Sequence, residues 1–390
     1  MIRKGRTSTS VADVHDVDGT TVARRRRPRA WLLVGVAALV ALLSACAEET
    51  PQNVFDPRGE SARKINDLQV PVFILAGIVG VLVFAAVLVV LIRFRRRPGD
   101  DVVPKQTHGK TVLEIGWTIL PAVILLVVAV PTVALVVDLA DTPDEALEID
   151  VVGQQWWWEF SYPAEGIVTS GELVIPVDTD VLVNITSRDV VHSFWFPKLA
   201  GKLDAVPNRI HPLKLRGEEV GEIWGQCAEF CGLSHANMRM RAVVLSQEDY
   251  AAWVANQQQA AAVPEEGTTA YAGYEAFGQR CASCHAIDGH PVQPADVPLV
   301  AAAAPNLTHL MSRTTFAGAM FRLRNDDCAA QPAGVTGTPA ECLNRVDLES
   351  WLRDPSAMKP MAPDDQRGMP TLGLSETEID NIVDYLSTLD

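Results

Sequence analysis

Two cysteines, two histidines and a methionine form the densest group of metal-binding side chains in the sequence. The segment from Cys227 to Met238 also contains Cys231 and His235, so two thiols, an imidazole and a thioether lie within twelve residues. A second imidazole, His192, lies upstream in the run Val-Val-His-Ser-Phe-Trp. Soft sulfur ligands together with imidazole favour copper or zinc over magnesium or calcium. The pattern therefore predicts a transition-metal site.

Three chemistries are compatible with these residues. Zinc would use the two cysteines and two histidines in a tetrahedral structural site, but it has no use for a thioether. A disulfide between Cys227 and Cys231 fits an oxidising compartment, but it leaves His235 and Met238 without a role. A blue-copper site uses one cysteine, two histidines and a weak methionine, and the additional cysteine here allows two bridging thiolates. We therefore expect a binuclear copper centre.

A second chemical motif, Cys281-Ala-Ser-Cys284-His285, lies further along the chain. Cys-x-x-Cys-His is the attachment signature of a c-type haem, in which two thioethers hold the porphyrin and the histidine binds the iron. A thioredoxin-like pair would require a βαβ setting, and half a zinc site would require a second pair of ligands. The motif predicts one covalent haem c whose sixth ligand lies far downstream. The candidates are Met358, Met361 and Met369.

The copper-type motif and its surroundings resemble subunit II of the haem–copper cytochrome c oxidases. The match comprises Cys-x-Glu-x-Cys-x-x-x-His-x-x-Met at 227–238, Asp-Val-Val-His-Ser-Phe at 189–194 and Gln-Trp-Trp-Trp at 155–158. The segment Glu-x-x-Trp-Thr-x-Leu-Pro-Ala at 114–122 also fits. The resemblance covers roughly residues 60 to 250.

This resemblance implies a cupredoxin fold that holds the CuA centre. The implied copper ligands are Cys227 and Cys231 as bridges, His192 and His235 on one copper each, Met238 as a weak ligand and the main-chain carbonyl of Glu229. The family also implies a magnesium ion at the Glu229 carboxylate, at the boundary with subunit I. Trp156 matches the tryptophan through which electrons enter from cytochrome c, and Glu114 matches a carboxylate at the cytoplasmic mouth of a proton path. On residue type alone, the three tryptophans indicate packing in the core or at an interface, and we favour that role for Trp157 and Trp158. Glu114, at the start of a helix, would on the same basis be a solvated residue or one stabilised by the helix dipole.

The C-terminal segment resembles class I cytochromes c. Those proteins have a Trp-Leu-Arg-Asp-Pro run, found here at 351–355, then a Met-Pro pair and a closing helix, here at 379–389. The resemblance favours Met369, which precedes proline, over Met361, which precedes alanine. It implies ligation of the haem iron by His285 and Met369.

Two of the three apolar segments are long enough to cross a membrane. The uncharged runs Leu68–Ile92 and Ile115–Val137 predict transmembrane helices at 68–92 and 113–138, joined by a loop at 93–112. This loop is rich in arginine and lysine, so the positive-inside rule makes it cytoplasmic and directs both ends of the hairpin outward.

The first apolar run, Trp31–Leu43, is too short to span and follows an arginine-rich stretch, as in a signal peptide. It ends Leu-Ser-Ala before Cys46 and resembles the lipobox of bacterial lipoproteins. We expect a lipoprotein-type signal peptide at 1–45, a lipid anchor at Cys46 and an outward segment at 46–67. An ordinary signal peptide with a chance cysteine and twin-arginine export are the alternatives.

The odd number of seven cysteines is explained by this division of roles. Cys46 is assigned to lipid, two cysteines to copper and two to haem. Cys328 and Cys342 remain, in what looks like an insertion relative to a minimal cytochrome c. We expect them to form a disulfide, because an outward-facing loop is in an oxidising compartment.

Between the hairpin and the haem motif the sequence changes to short runs rich in Val, Ile and Thr, separated by Pro, Gly and Asp. They predict a β domain at 146–256, followed by a polar linker at 257–270 and a haem domain at 271–390. The predicted fold class is a multi-domain membrane protein with a two-helix transmembrane hairpin, an all-β cupredoxin domain and an all-α class I cytochrome c domain.

Composition excludes several other classes of protein. With 390 residues, 48% of them apolar, the chain is neither collagen-like, disordered nor a small disulfide scaffold. Its net charge of −15 argues against nucleic acid as a partner.

Together the resemblances imply the electron-input subunit of a respiratory cytochrome c oxidase in a bacterial plasma membrane, with both redox domains on the outer face. The implied partners are subunits I and III, membrane lipid, and either cytochrome c or a cytochrome bc-type reductase as donor. Reduction of O₂ to water and proton translocation would take place through subunit I. The alternatives are a CuA-containing nitric or nitrous oxide reductase component and a copper-delivery or assembly factor; the segment at 114–122 and the haem motif favour the oxygen reductase.

Overall fold

The computed structural model describes residues 50–95, 99, 103, 105–106, 108–143, 145–292, 304–325, 328, 340–365 and 367–390. The predicted signal peptide and Cys46 lie outside the described residues. All contacts given below belong to one compact unit, residues 51–390.

Two long helices, α1 (Glu60–Arg93) and α2 (Thr111–Ala140), open this unit. Their most apolar windows have mean hydropathies of 3.2 and 2.8 and are not buried against the rest of the protein. Because about 20 apolar residues cross the hydrocarbon core of a membrane, both helices are long enough to span it. The predicted spans, 68–92 and 113–138, lie inside them.

Helix α1 begins before its predicted span because polar contacts stabilise its first turns. Lys64 Nζ lies 2.9 Å from Glu60 Oε1 and 2.7 Å from Asp138 Oδ2, near the end of α2. Arg63 Nη2 lies 2.5 Å from Glu218 Oε1 in the domain that follows. The start of α1 and the end of α2 therefore lie together, on the side of that domain.

A cupredoxin-like sandwich of two five-stranded sheets follows. Its strands are β1 (Leu147–Gln154), β2 (Trp157–Tyr162), β3 (Ile167–Ser170), β4 (Glu172–Pro176), β5 (Val181–Ser187), β6 (His192–Trp195), β7 (Leu203–Ala205), β8 (His211–Leu215), β9 (Gly221–Cys227) and β10 (Arg239–Leu245). The sheets are ordered β3-β2-β1-β5-β8 and β4-β10-β9-β6-β7. The pairs β1–β5 and β4–β10 are parallel, and the other pairs are antiparallel.

Aromatic side chains fill the space between the two sheets. Trp158 and Phe194, from opposite sheets, meet edge to face with ring centroids 5.5 Å apart. Helix α3 (Gln247–Gln257) closes one end, where Trp253 packs edge to face on Tyr162 at 5.1 Å. This aromatic core gives the domain a rigid frame for the loops at its edge.

The C-terminal part of the chain is helical, with α4 (Thr269–Arg280), α5 (Arg345–Arg353), α6 (Pro355–Met358) and α7 (Glu376–Leu386). Helices α4 and α7 cross closely at Gly273, where an added Cβ would lie 1.9 Å from the Asn381 carbonyl oxygen. Ser375 and Glu378 form a capping box that starts α7. Buried side chains such as Phe277 complete a core separate from that of the sandwich.

Two very short strands, β11 (Thr315–Phe316) and β12 (Phe321–Arg322), also pair in this part. The sequence predicted only helices here, since two-residue strands are too short to leave an alternating pattern. Between them Ala317, Gly318 and Ala319 adopt left-handed φ angles of 55°, 73° and 57°.

The linker predicted at 257–270 overlaps the last residue of α3 and the first two residues of α4. The amide of Ala261 within it donates to the Asp288 carbonyl at 2.9 Å. Cys328 and Cys342 are joined by a disulfide in the structure.

Candidate metal centre

Strand pairing brings the two distant parts of the copper-type motif together. Strands β6 and β9 are antiparallel neighbours, with Phe194 opposite Cys227. This register places His192, at the start of β6, beside the loop that connects β9 to β10. The loop returns on itself, because the amide of Cys227 donates to the carbonyl of Met238 at 2.9 Å.

Each cysteine sulfur lies beside its own imidazole. Cys227 Sγ is 4.0 Å from His192 Nδ1, and Cys231 Sγ is 3.6 Å from His235 Nδ1. The two sulfurs are 3.8 Å apart, far longer than the bond of about 2.05 Å in a disulfide. Both thiols are free in the structure.

Two weaker donors complete the group. Met238 Sδ lies 3.8 Å from Cys231 Sγ, and the main-chain oxygen of Glu229 lies 3.2 Å from Cys227 Sγ. Within the described residues, His192, Cys227 and Cys231 form a cluster able to hold a metal ion. Six donors of this kind exceed the four of a structural zinc site and fit a soft, binuclear copper centre.

Asp189 orients His192, which is completely buried. Asp189 Oδ1 lies 2.8 Å from His192 Nε2, so the Nδ1 atom of His192 is directed towards the cysteine sulfurs. Its Oδ2 accepts a hydrogen bond from the Gln155 amide at 2.7 Å. Gly153 leaves room for the ring, since an added Cβ would lie 3.0 Å from His192 Cδ2. A carboxylate that holds a ligating histidine in this way fixes its ring orientation and raises its basicity.

The electrostatics of the group favour a bound cation. A hydrogen bond with Cys231 lowers the pKa of the Cys227 thiol and outweighs burial, which acts in the opposite direction. The same hydrogen bond and burial both raise the pKa of the Cys231 thiol. Burial acts to lower the pKa of His192, but its contacts with Asp189 and Cys227 raise it overall. One thiolate therefore forms readily, and a metal ion would stabilise the second.

Trp156 contacts the metal-binding loop directly. Its Nε1 donates to the Cys231 carbonyl at 3.2 Å, and the side-chain amide of Gln155 donates to the same oxygen at 2.6 Å. Gly232, at φ 111°, makes this approach possible, because an added Cβ would lie 2.8 Å from Gln155 Nε2 and 3.4 Å from the Trp156 ring.

Trp156 also lines a cavity of about 760 Å³. The cavity is lined as well by the haem-type motif, Cys281, Cys284 and His285, and by the predicted sixth ligand, Met369. A volume of this size suits a large organic cofactor. The cavity thus lies between the C-terminal domain and the sandwich domain.

His285 is prepared to bind a metal. Its Nδ1 lies 2.8 Å from the Pro305 carbonyl oxygen, which leaves Nε2 free for iron. Burial lowers the pKa of His285 and so favours the neutral, ligating form. Burial also raises the pKa of the Cys281 thiol to about 12.

Met361 and Met369 both line the cavity, but they pack on different cores. Met369 packs against the core of the C-terminal domain, together with Cys281, whereas Met361 packs against the core of the sandwich. This difference favours Met369 over Met361 as the candidate for the second haem ligand, beside His285.

The other predicted residues lie apart from these two groups. The Glu229 side chain is exposed on the metal-binding loop, and Glu114 is exposed in the first turn of α2. Asp189, Gln155 and Lys359 have no role predicted from the sequence. Asp189 could have been noticed three residues before His192, but Lys359 has no local signal.

We expect Asp189→Asn to lower copper affinity by about 10–100-fold, because the His192 ring loses a charged partner while its neighbours keep their places. The affinity would be measured by competition with a copper chelator. Asp178→Asn is the matched control, since the Asp178 side chain is 65% exposed and makes no contact with the site. Equal affinities in the two variants would contradict the role given to Asp189.

The chain is similar to known proteins over most of its length. Residues 164–245 match the family described as cytochrome C oxidase subunit II, periplasmic domain, and residues 49–135 match the corresponding transmembrane domain. It is 34% identical over 363 residues to cytochrome c oxidase subunit 2 of Alkalihalophilus pseudofirmus, covering 90% of this chain and 94% of that protein. It is 33% identical over 381 residues to cytochrome c oxidase subunit 2 of Bacillus subtilis, covering 92% and 98%. The solved periplasmic domain of cytochrome oxidase subunit II from Bradyrhizobium japonicum is 29% identical, with a TM-score of 0.30, covering 30% of this chain and 97% of that one.

Proposed function

This chain belongs to the cytochrome c oxidase subunit II family, and from that membership we propose the route by which its residues take in electrons. As a member of the family it is a membrane-bound subunit of an oxidoreductase complex and receives electrons for that complex. The proposed route runs from an external donor to a covalent haem c, then to a binuclear CuA centre, and on to the haems of subunit I.

The contacts of Trp156 carry the proposal. This side chain hydrogen-bonds to the Cys231 carbonyl and also lines the cavity that contains Cys281, Cys284 and His285. One side chain therefore connects the two groups of ligands within a single chain.

The residues that would hold copper are His192, Cys227, Glu229 through its carbonyl, Cys231, His235 and Met238. Bound there, the metal pair would accept and release one electron at a time. The chain contributes a rigid frame, since the sheet register and Asp189 hold the ligands in place before the metal binds. We also propose that the exposed Glu229 carboxylate binds magnesium at the boundary with subunit I.

The haem would be attached through Cys281 and Cys284 and ligated by His285 and Met369. Bound there, it would supply a second one-electron carrier. The chain buries both cysteines at least in part, keeps His285 neutral and surrounds the cavity with apolar side chains such as Leu348. Exclusion of water and ligation by methionine both raise the potential of such a carrier.

The membrane arrangement supports an outward position for both redox domains. The loop between α1 and α2 contains Arg95, Lys105 and Lys110, and the opposite ends of these helices adjoin the sandwich domain. We propose that the loop is cytoplasmic, that Glu114 lies at the mouth of a proton path, and that subunits I and III pack on the helices. Lipidation of Cys46 remains part of the proposal.

The test is the composition and visible spectrum of the purified full-length chain. We expect two copper ions per chain with the near-infrared band of CuA, and one haem that remains attached after denaturing electrophoresis. Mononuclear or readily exchanged copper without haem would contradict the proposal and favour a copper-delivery factor. Reduction of nitric or nitrous oxide, without oxygen consumption, by the purified complex would favour the other CuA enzymes.

A further inference from the structure

The C-terminal domain covers Trp156 and binds its backbone. The Trp156 side chain is only 3% exposed. Lys359, from the C-terminal domain, donates from Nζ to the Trp156 carbonyl at 2.8 Å and to the Ala317 carbonyl at 2.9 Å. Lys359 is itself buried. A buried amino group, charged or neutral, is costly unless it is hydrogen-bonded, so these two hydrogen bonds hold the domains together at Trp156.

The tight turn between β11 and β12 forms the rest of this contact. The Gly318 carbonyl accepts a hydrogen bond from the Arg239 amide of the sandwich domain at 3.1 Å. Gly318 has no space for a side chain, because an added Cβ would lie 2.9 Å from the Trp156 oxygen and 2.8 Å from Lys359 Nζ. We call Lys359, Ala317, Gly318 and Trp156 the lysine clamp.

A second buried contact joins the domains at Glu172. Its Oε1 accepts hydrogen bonds from the amides of Thr314 and Thr315, both at 2.9 Å. The hydroxyls of the same two threonines donate to it at 2.7 and 2.8 Å. Glu172 is 2% exposed, so this carboxylate depends on donors from the other domain.

Two buried arginines surround this carboxylate. Arg313, from the C-terminal domain, donates to Ser170 Oγ at 2.9 Å, and Arg241, from the sandwich, donates to Thr314 Oγ1 at 3.1 Å. Arg241 also pairs with Glu222. Separation of the domains would break both arginine contacts and leave the buried Glu172 carboxylate without its donors Thr314 and Thr315, which is costly. The two domains therefore have one preferred relative position.

We propose that Lys359 is a positioning residue that, together with Glu172, holds the C-terminal domain in one position over Trp156. In this position Trp156 lines the cavity of the C-terminal domain and is not accessible to an external protein. An external donor would accordingly deliver its electron to the C-terminal domain and not to Trp156.

The proposal rests on the proposed function for its electron step. With both groups bound, one electron would pass from the reduced haem, which would be oxidised, to the copper pair, which would be reduced by one electron. No bond forms or breaks, and no proton is transferred. The role of the clamp is to keep the distance between the two groups short and constant.

Gly318→Ala tests the position without removing a charge. The added methyl would push against Trp156 and Lys359, whereas Gly373→Ala introduces a methyl at a similar φ of 63° with nothing within 4 Å. The control thus reproduces the backbone strain without the clash. Lys359→Met removes the clamp donor, and Lys214→Met, at a half-buried position in β8, is its control.

Two readouts are required on the full-length protein. Hydrogen exchange at the amides of Arg239, Thr314 and Thr315 reports docking, since each donates across the domain interface. We expect exchange at these amides to rise about tenfold or more in Lys359→Met, the effect of losing two buried hydrogen bonds on an equilibrium. Exchange should also rise in Gly318→Ala, because the added methyl pushes against Trp156 and Lys359. Flash-induced transfer from haem to copper should slow in both variants, with spectra and midpoint potentials unchanged in Gly318→Ala.

Unchanged transfer in both variants would overturn the proposal, and so would equal exchange in the variants and their controls. A changed haem or copper potential in Gly318→Ala would also overturn it, because the slower transfer would then reflect the cofactors and not the docking. If the purified wild-type chain contains no haem or copper, the proposed function fails together with the electron step. Hydrogen exchange then still decides whether the clamp holds the domains.

Discussion

Replacing Cys227 or Cys231 by serine is expected to remove the copper centre. A hydroxyl is a poor ligand for copper, and each cysteine has a distinct imidazole beside it, so neither sulfur can replace the other. We expect copper affinity to fall by more than about 100-fold. This loss is larger than the loss expected when a residue that only hydrogen-bonds to a copper ligand is replaced. Transfer of electrons from the chain to subunit I should then cease.

Copper per chain and the near-infrared band would measure this loss. The control is the double variant Cys328→Ser/Cys342→Ser, which removes two cysteines that are paired with each other in the C-terminal domain. The haem spectrum should be retained in the Cys227 and Cys231 variants, because the haem motif lies in a separate core. A serine variant that keeps both copper ions would contradict the ligand assignment.

Replacing both Cys281 and Cys284 by alanine is expected to abolish covalent haem attachment. The two thioethers are the only bonds by which the Cys-x-x-Cys-His motif fixes the porphyrin to the chain. His285 and its contact with the Pro305 carbonyl remain, so any residual haem would be bound only through the iron. Transfer from an external donor to the copper centre should fall with the haem content.

Haem staining after denaturing electrophoresis would measure attachment, and acidified acetone would extract any haem that is not covalently bound. Copper content serves as the internal control and should not change, since the copper ligands belong to the sandwich domain. Covalent haem that persists in the double alanine variant would place the attachment elsewhere and contradict the proposal.

Most ligands of both groups could be predicted from the sequence, because they lie close together along the chain. Cys227, Cys231, His235 and Met238 belong to one short loop, and Cys281, Cys284 and His285 are nearly contiguous. Spacing alone therefore indicates chemistry at both sites, because the backbone cannot carry residues this close in sequence far apart. Long uncharged runs likewise predict the two membrane helices, since their length and composition are sufficient.

The distant partners of these groups were indicated by resemblance, and the tertiary structure supplies the physical reason. His192 reaches Cys227 only because β6 pairs with β9 in the observed register, and a slip of one residue would turn it away from the site. Met369, which the Met-Pro pair favoured, packs on the core that contains Cys281, whereas Met361 packs on the core of the sandwich.

The contacts of Lys359 and Glu172 could not be predicted from the sequence. Single charged residues are typical of a solvated surface, and Lys359 meets Trp156 across a sequence separation of 203 residues. The sequence by itself determined the two ligand motifs, the membrane helices and the β character of the central domain, because these depend on local spacing and periodicity. Only the tertiary structure decided that the two redox domains share one interface over Trp156, because that interface depends on long-range packing and on buried charges that require each other.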